Sequence, residues 1–316
     1  MNFNKVSVAL IASLLIVNGA YAANKTGVTD SLNAGDSRVD LDYGYQGFSY
    51  NGTVTSSTTS FDYSAKATGS RLNVTYLFGV SDRLNMSVIF GLSNSTGETS
   101  YTVAPNSYVV TSKYEGASNP GISAQYLLVD KKNGKTGLVI FGSFSPASAA
   151  SDEAVAQVET NGLVTTAGVT GKSGTGYATS SIGATMSTPV AGGDVFVKVE
   201  YSAYGEKSSS SGTSKNGAQA AVQFGLESKV GNSATVRPYA RVISTASGYS
   251  GTSQISSRVD YALGFEGIRD VSKRVSFSVT GEYVALGKYD SNTSTGGKNT
   301  LSGTGYLLGV RGIFFF

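Results

Sequence analysis

The C-terminal stretch Tyr306-Leu307-Leu308-Gly309-Val310-Arg311-Gly312-Ile313-Phe314-Phe315-Phe316 carries the strongest structural signal in the chain. Alternate positions counted back from Phe316 read Phe314, Gly312, Val310, Leu308 and Tyr306, while the other set reads Phe315, Ile313, Arg311, Gly309 and Leu307. A two-residue period sends these sets to opposite faces of an extended strand. A terminal strand of a water-soluble core seldom ends on three consecutive Phe. An outward row of apolar and aromatic side chains fits a strand whose outer face meets hydrocarbon.

The same alternation recurs upstream. Apolar rows run through Leu72, Val74, Tyr76, Phe78 and Val80, then Met86, Val88, Phe90 and Leu92. Later rows are Val195, Val197, Val199 and Tyr201; Val259, Tyr261, Leu263 and Phe265; and Val275, Phe277, Val279 and Tyr283. Strand-like segments fall at roughly 38–50, 62–80, 85–98, 113–129, 136–146, 176–189, 195–208, 217–230, 235–248, 257–270, 275–290 and 301–316. Short connections (Ser81–Leu84, Asp130–Lys135, Ala191–Asp194, Gly231–Ala234, Val271–Arg274) alternate with long ones at 51–61, 99–112, 147–175, 209–216, 249–256 and 291–300. Five short turns between six long loops give twelve antiparallel strands with both termini on one side. Short periplasmic turns and longer external loops are the habit of outer-membrane barrels. The predicted fold is therefore all-β, a transmembrane antiparallel up-and-down β-barrel of 12 strands. Two positions strain the pattern, Gly69 in the second strand and Pro238 in the ninth, where a ladder hydrogen bond is lost.

Composition agrees. Cys, His and Trp are absent, Gly numbers 40, Tyr 19 and Phe 14 in 316 residues, and only 14% are charged. Beyond the N-terminus no run of 18 apolar residues could form a membrane-spanning helix. Closed barrels are the other way to satisfy backbone hydrogen bonds in lipid. Residues 1–22 read as a cleaved signal peptide: Lys5 supplies the positive N-terminal region, Val6–Val17 form the apolar region, and Ala20-Tyr21-Ala22 is a small-residue cleavage site. Residues 23–316 then form a single barrel domain, and 23–37 are too short for a plug domain. A formal net charge of +3 over the whole chain offers no case for nucleic acid. Localisation to the bacterial outer membrane follows. The terminal strand resembles the signal read by the barrel-assembly machinery, carried by Tyr306, Leu308, Val310, Phe314 and Phe316. That machinery and outer-membrane lipid are the expected partners.

The missing His and Cys exclude much chemistry. There is no imidazole base or metal ligand and no Ser-His or Cys-His nucleophile. A carboxylate-pair hydrolase would have to use acids such as Asp40 and Asp42, whose ordinary role in a barrel is a lumen ion pair. Gly134-Lys135-Thr136 and Gly171-Lys172-Ser173 lack the earlier Gly of a phosphate loop, having Val129 and Thr166 there. The expectation is no enzyme, no cofactor and no metal.

The face opposite the apolar rows offers candidate pore-lining residues: Arg38, Asp40, Asp42, Arg71, Lys198, Glu200, Glu227, Arg237, Arg241, Arg258, Asp260, Glu266, Glu282 and Arg311. Gln46, Asn73, Gln125, Gln219, Gln223, Lys229 and Lys288 share it. Twelve strands lie between a filled eight-stranded barrel and a wide porin, so a narrow pore is predicted. In loop 147–175, Ser151-Asp152-Glu153 before Ala154, Val155, Gln157 and Val158 reads as a short capped helix. Folded inward it would narrow the pore; left outside it would be a loop exposed for contacts. With no Trp, the interfacial girdles fall to Tyr43, Tyr45, Tyr76, Tyr126, Tyr201, Tyr261 and Tyr283. The inward aromatics Phe48, Phe196, Tyr204 and Tyr239 look too scattered for a stacking track.

The hairpin Tyr76-Leu77-Phe78-Gly79-Val80-Ser81-Asp82-Arg83-Leu84-Asn85-Met86-Ser87-Val88 is similar to one that recurs in the outer-membrane proteins named for the meta-pathway of phenol degradation. Asn119-Pro120-Gly121-Ile122-Ser123-Ala124-Gln125-Tyr126-Leu127-Leu128 resembles the strand that follows it there, with Ser118-Asn119 where that family often has Gly-Asp. The resemblance covers residues 70–146 and implies an outer-membrane barrel that admits small aromatic or other apolar compounds; it assigns no binding residues. The sequence thus supports a channel for passive passage of small solutes. The alternatives are a non-transporting surface barrel whose loops contact a partner and a His-free enzyme.

Overall fold

The computed structural model describes residues 28–55, 60–131, 136–147, 155–167, 171–172, 177–209, 212–231, 233–250, 253–272, 274–292 and 297–316. The leader expectation for residues 1–22 lies outside them.

The strands are β1 (Ser37–Thr55), β2 (Ser60–Ser81), β3 (Leu84–Val103), β4 (Asn106–Ala117), β5 (Gly121–Val129) and β6 (Gly137–Ser145). Between β6 and the next wall strand come β7 (Val155–Thr160), β8 (Leu163–Ala167) and β9 (Gly171–Lys172). The wall resumes with β10 (Thr179–Val190), β11 (Gly193–Tyr204), β12 (Glu206–Ser209), β13 (Gly212–Lys215) and β14 (Gln219–Val230). It ends with β15 (Ala234–Thr245), β16 (Gly248–Ser250), β17 (Ser253–Ile255), β18 (Arg258–Ser272), β19 (Val275–Asn292) and β20 (Lys298–Phe315). Twelve of these trace a closed antiparallel barrel: β1, β2, β3, β5, β6, β10, β11, β14, β15, β18, β19 and β20, with β4 as the upper arm of β5. Closure is the pairing of β1 with β20, from Arg38↔Phe315 to Thr55↔Lys298.

The lipid face is the predicted one. Leu41, Tyr43, Leu72, Val74, Tyr76, Phe90, Leu92, Leu263, Phe277, Leu308 and Val310 are all exposed. All seven tyrosines assigned to the girdles are exposed as well. Outside a membrane such a surface would aggregate; in lipid it is the hydrophobic match that holds the barrel in place.

Four expectations need correction. First, much of what reads as loop is strand. β3 runs to Val103 and β4 starts at Asn106, so 99–112 is a paired hairpin; β1 and β2 likewise pair up to Thr55↔Ser60. Above the lipid the outer face turns polar (Lys66, Thr68 and Glu98 on β2 and β3), which removes the apolar row that marks a strand below. The inner face turns apolar instead. Phe48, Tyr50, Val54, Tyr63, Val284, Leu286, Tyr289 and Leu301 form a buried cluster inside this extracellular collar.

Second, of the short capped helix expected from Ser151, the cap and residues 151–154 lie outside the described residues, and Val155–Thr160 is a strand; it pairs antiparallel with β4 and with β8 and so extends the collar wall. Its hairpin turns on Asn161 (φ 52°) and Gly162 (φ 82°). Positive φ at both central residues is what an Asn-Gly hairpin supplies.

Third, Lys288 is exposed, because a bulge between Leu286 and Tyr289 reverses the parity of β19 and turns Tyr289 inward. Lys229, near the periplasmic end of β14, is exposed too.

Fourth, the strand expected over 113–129 breaks at Ser118–Pro120, between β4 and β5. Pro238 has its predicted effect: the β14–β15 pairing skips from Gly225↔Tyr239 to Ser228↔Val236.

Candidate functional site: the barrel lumen

The lumen holds a cavity of about 410 Å³ enclosed by side chains from the whole circumference of the wall. At the end that carries Phe316 and the short turns, residues 28–36 precede β1 and reach β2, β3 and β5. Gly35 donates its N–H to the Gly79 carbonyl at 3.0 Å, and Ala34 donates its N–H to Asp82 Oδ1 at 3.0 Å. Further in, Ser31 Oγ donates to Asn85 Oδ1 at 3.3 Å, and Gln125 Nε2 donates to the Asp30 carbonyl at 3.0 Å. Leu32 packs on Leu77, Ile313 and Phe315, and Thr29 is buried. Val28 lines the floor of the cavity. These residues are too few to be a domain, yet they are held to β2, β3 and β5 by hydrogen bonds, an arrangement that sequence length alone conceals.

The wall divides by chemistry. On β14, β15, β18, β20 and β1 the side chains form one chain of ion pairs. Arg237 Nε donates to Glu227 Oε2 at 2.6 Å and Arg237 Nη1 to Glu266 Oε2 at 2.8 Å. Arg311 lies 4.0 Å from Glu266 Oε1 and donates through Nε to Asp42 Oδ2 at 3.2 Å. On β15 and β19, Arg241 pairs with Glu282, which also accepts the Tyr239 hydroxyl at 3.0 Å. The register places Arg237 opposite Glu266, and Asp42 opposite Arg311, as cross-strand neighbours. Opposite charges at such positions attract strongly once partly desolvated.

Facing them, β2, β3, β5, β6 and β10 present the neutral polar groups Asn73, Ser93, Gln125, Ser143, Ser181 and Thr185, together with Arg71 on β2 and the apolar Ile89, Val139 and Phe141. The Ser143 and Ser181 hydroxyls share a hydrogen bond of 2.7 Å.

Of the 14 charged residues predicted to face inward, Asp40, Asp42, Arg71, Lys198, Arg237, Glu266, Glu282 and Arg311 line the cavity. Arg38 is buried at the periplasmic end, bound to Asp40 through two contacts of 2.9 Å, with its guanidinium 6.0 Å from the Phe315 ring. Glu200 pairs with Lys198 at 2.8 Å, and Lys198 also sits 4.9 Å over the Phe141 ring. Glu227 and Arg241 stand behind the cavity as partners of Arg237 and Glu282. Arg258 and Asp260 belong elsewhere: joined at 3.0 Å, they lie in the collar, with Arg258 5.1 Å over Tyr289 and Asp260 accepting the Gly287 N–H at 2.9 Å. Asp40 and Asp42 each have an arginine partner, Arg38 and Arg311.

Inner aromatic rings lie against neighbouring glycines. A Cβ on Gly264 would come within 2.4 Å of Tyr239 Cζ, and one on Gly225 within 2.3 Å of Phe196 Cζ. Gly225, Tyr239, Gly264 and Glu282 are successive partners across β14, β15, β18 and β19, so the glycines let the rings fold back and keep the lumen open. On the outside Tyr306 covers Gly47 in the same way. Tyr306, Leu308, Val310 and Phe316 are exposed on the lipid side of β20 and its end, whereas Ile313 and Phe315 point inward.

No family model matches the chain, and no curated protein matches it. Among solved structures it is similar to an outer-membrane channel from Pseudomonas putida F1, at 10% identity over 93% of this chain and 100% of that one, with a TM-score of 0.53. It is also similar to the transport unit of the autotransporter AIDA-I from Escherichia coli (11% identity, 96% and 97% coverage, TM-score 0.49). A third is a Pseudomonas aeruginosa FadL homologue (9% identity, 90% coverage of both, TM-score 0.48). Identity this low speaks to fold alone, and the fold is that of the outer-membrane β-barrels.

Proposed function

We propose that the chain is a passive outer-membrane channel for small solutes, closed on its periplasmic side by its own residues 28–36. The observation that carries this reading is the cavity itself: about 410 Å³, bordered by all twelve wall strands, with polar and charged groups set among apolar ones such as Ile89, Val139, Phe141 and Phe196, and floored by Val28. A barrel built only as a scaffold would gain by filling that space with side chains. The resemblance of residues 70–146 to the phenol meta-pathway barrels supports a transport role and, taken alone, an aromatic or other apolar cargo. Residues 1–22 would act as the export leader, and the outward residues of β20 would engage the assembly machinery. Planar bilayers containing the folded chain should show discrete, small open steps. A correctly folded barrel that never conducts would refute the proposal.

A second reading, a surface barrel that contacts a partner, is supported by β8. Among the described residues β8 pairs only with β7, and its Leu163 and Val164 are exposed above the membrane. If contact is the role, deleting residues 155–167 would abolish partner binding and leave conductance unchanged.

A further inference from the structure

Resting on the channel reading, we infer that the cargo is a neutral, polyhydroxylated solute of about monosaccharide size, selected by a charge-compensated wall facing a hydroxyl and amide wall. Four cationic side chains line the cavity (Arg71, Lys198, Arg237, Arg311) and so do four anionic ones (Asp40, Asp42, Glu266, Glu282). Arg237 and Arg311 are each bound to carboxylates, Lys198 to Glu200, and Glu282 to Arg241. Charges tied up in this way leave little net potential in the lumen, so an ion gains no partner for the hydration it gives up. A neutral solute loses less on entry. Its hydroxyls can exchange water for hydroxyls that both donate and accept (Ser143, Ser181 and Thr185) on one side and for the accepting oxygens of the paired carboxylates on the other.

The apolar groups of the interior gather in the collar, where they pack on one another: Leu301 is 0% and Tyr50 1% exposed. The lumen cavity of about 410 Å³ is bordered by polar and charged side chains together with the apolar Ile89, Val139, Phe141 and Phe196, against which the C–H faces of such a solute can lie.

Uptake into liposomes carrying the folded chain without residues 1–22 tests this, using ribose, arabinonate and benzoate as probes of similar size. Ribose should enter roughly fivefold faster than either anion. Glu266→Gln, which retains hydrogen-bonding capacity but leaves Arg237 and Arg311 under-compensated, should raise arabinonate to about the rate of ribose. Ser143→Ala combined with Ser181→Ala should lower ribose uptake about twofold without changing potassium chloride conductance. Benzoate entering faster than ribose, or all three entering equally, would overturn the cargo class and leave the channel standing. Absence of uptake for every probe, with no conductance, would overturn both.

Discussion

The side-chain amide of Gln125 on β5 donates to the main-chain carbonyl of Asp30 at 3.0 Å, tying the segment before β1 to a wall strand three removed from it. Gln125 is one of the inward polar residues expected from alternation. Its partner was not, because residues 28–36 have no periodic pattern to read.

Loosening that tie should show in conductance. Gln125→Ala removes the donor and leaves the Asp30 carbonyl to water, a change worth about 1 kcal/mol. Single-channel records should show longer or more frequent openings than the unaltered chain, with the barrel's thermal stability little changed.

Arg237 is the most connected side chain of the ion-pair wall. Arg237→Met would strand the Glu227 carboxylate and leave Glu266 with its 4.0 Å contact to Arg311, at a cost of roughly 3 kcal/mol in folding free energy. Urea unfolding in detergent checks the cost. Reversal potentials in a salt gradient should move from near zero toward cation selectivity.

Gly264 sets the position of a ring. A Cβ there would stand 2.4 Å from Cζ of Tyr239, so Gly264→Ala must push the ring into the lumen and break its bond to Glu282. Conductance should fall on the order of twofold, with a stability loss of about 1–3 kcal/mol. An unchanged open step would show that Tyr239 does not border the path.

Position matters on the outside in a different way. Val310 lies midway along the lipid-facing row of β20, opposite Tyr43 and Val279. Val310→Arg should destabilise the folded barrel in lipid by about 2–4 kcal/mol, measured by reversible unfolding into urea from vesicles. An arginine at Ser93, which lines the cavity, should cost less and change permeation more.

In the collar, Asp290 accepts from Lys298 at 2.9 Å and from the Thr300 hydroxyl at 2.7 Å, and these bonds hold its carboxyl below the ordinary range. A depressed folded pKa stabilises the folded state above the unfolded pKa and loses that contribution as pH falls through the folded value. Hydrogen-exchange protection of the β19–β20 hairpin tip should therefore drop on acidification, and Asp290→Asn should remove that dependence.

The outer face was readable because hydrocarbon demands an unbroken apolar row: Leu72 to Val80, and Val275 to Tyr283. The strand count followed from the alternation of short and long connections. What escaped was the collar. Its outward residues are polar and its inward residues apolar, so Phe48, Tyr50, Tyr63 and Tyr289 belong to a second register that inverts the first. Tyr289 was hidden further by the bulge before it. In loop 147–175 the serine and acids at 151–153 suggested a helix cap, while Asn161-Gly162, a strong hairpin signal, stood eight residues further on. The charged lumen residues were found by parity, but parity cannot say that Arg258 and Asp260 lie above the cavity.

The most direct test of the central claim compares single-channel conductance of the folded chain with that of a variant lacking residues 28–33, in the same bilayer and salt. A stoppered channel predicts small or intermittent steps in the first and larger, sustained steps in the second, with little ion selectivity in either. Equal conductance would show that residues 28–36 do not limit passage, and silence in both would contradict the channel itself.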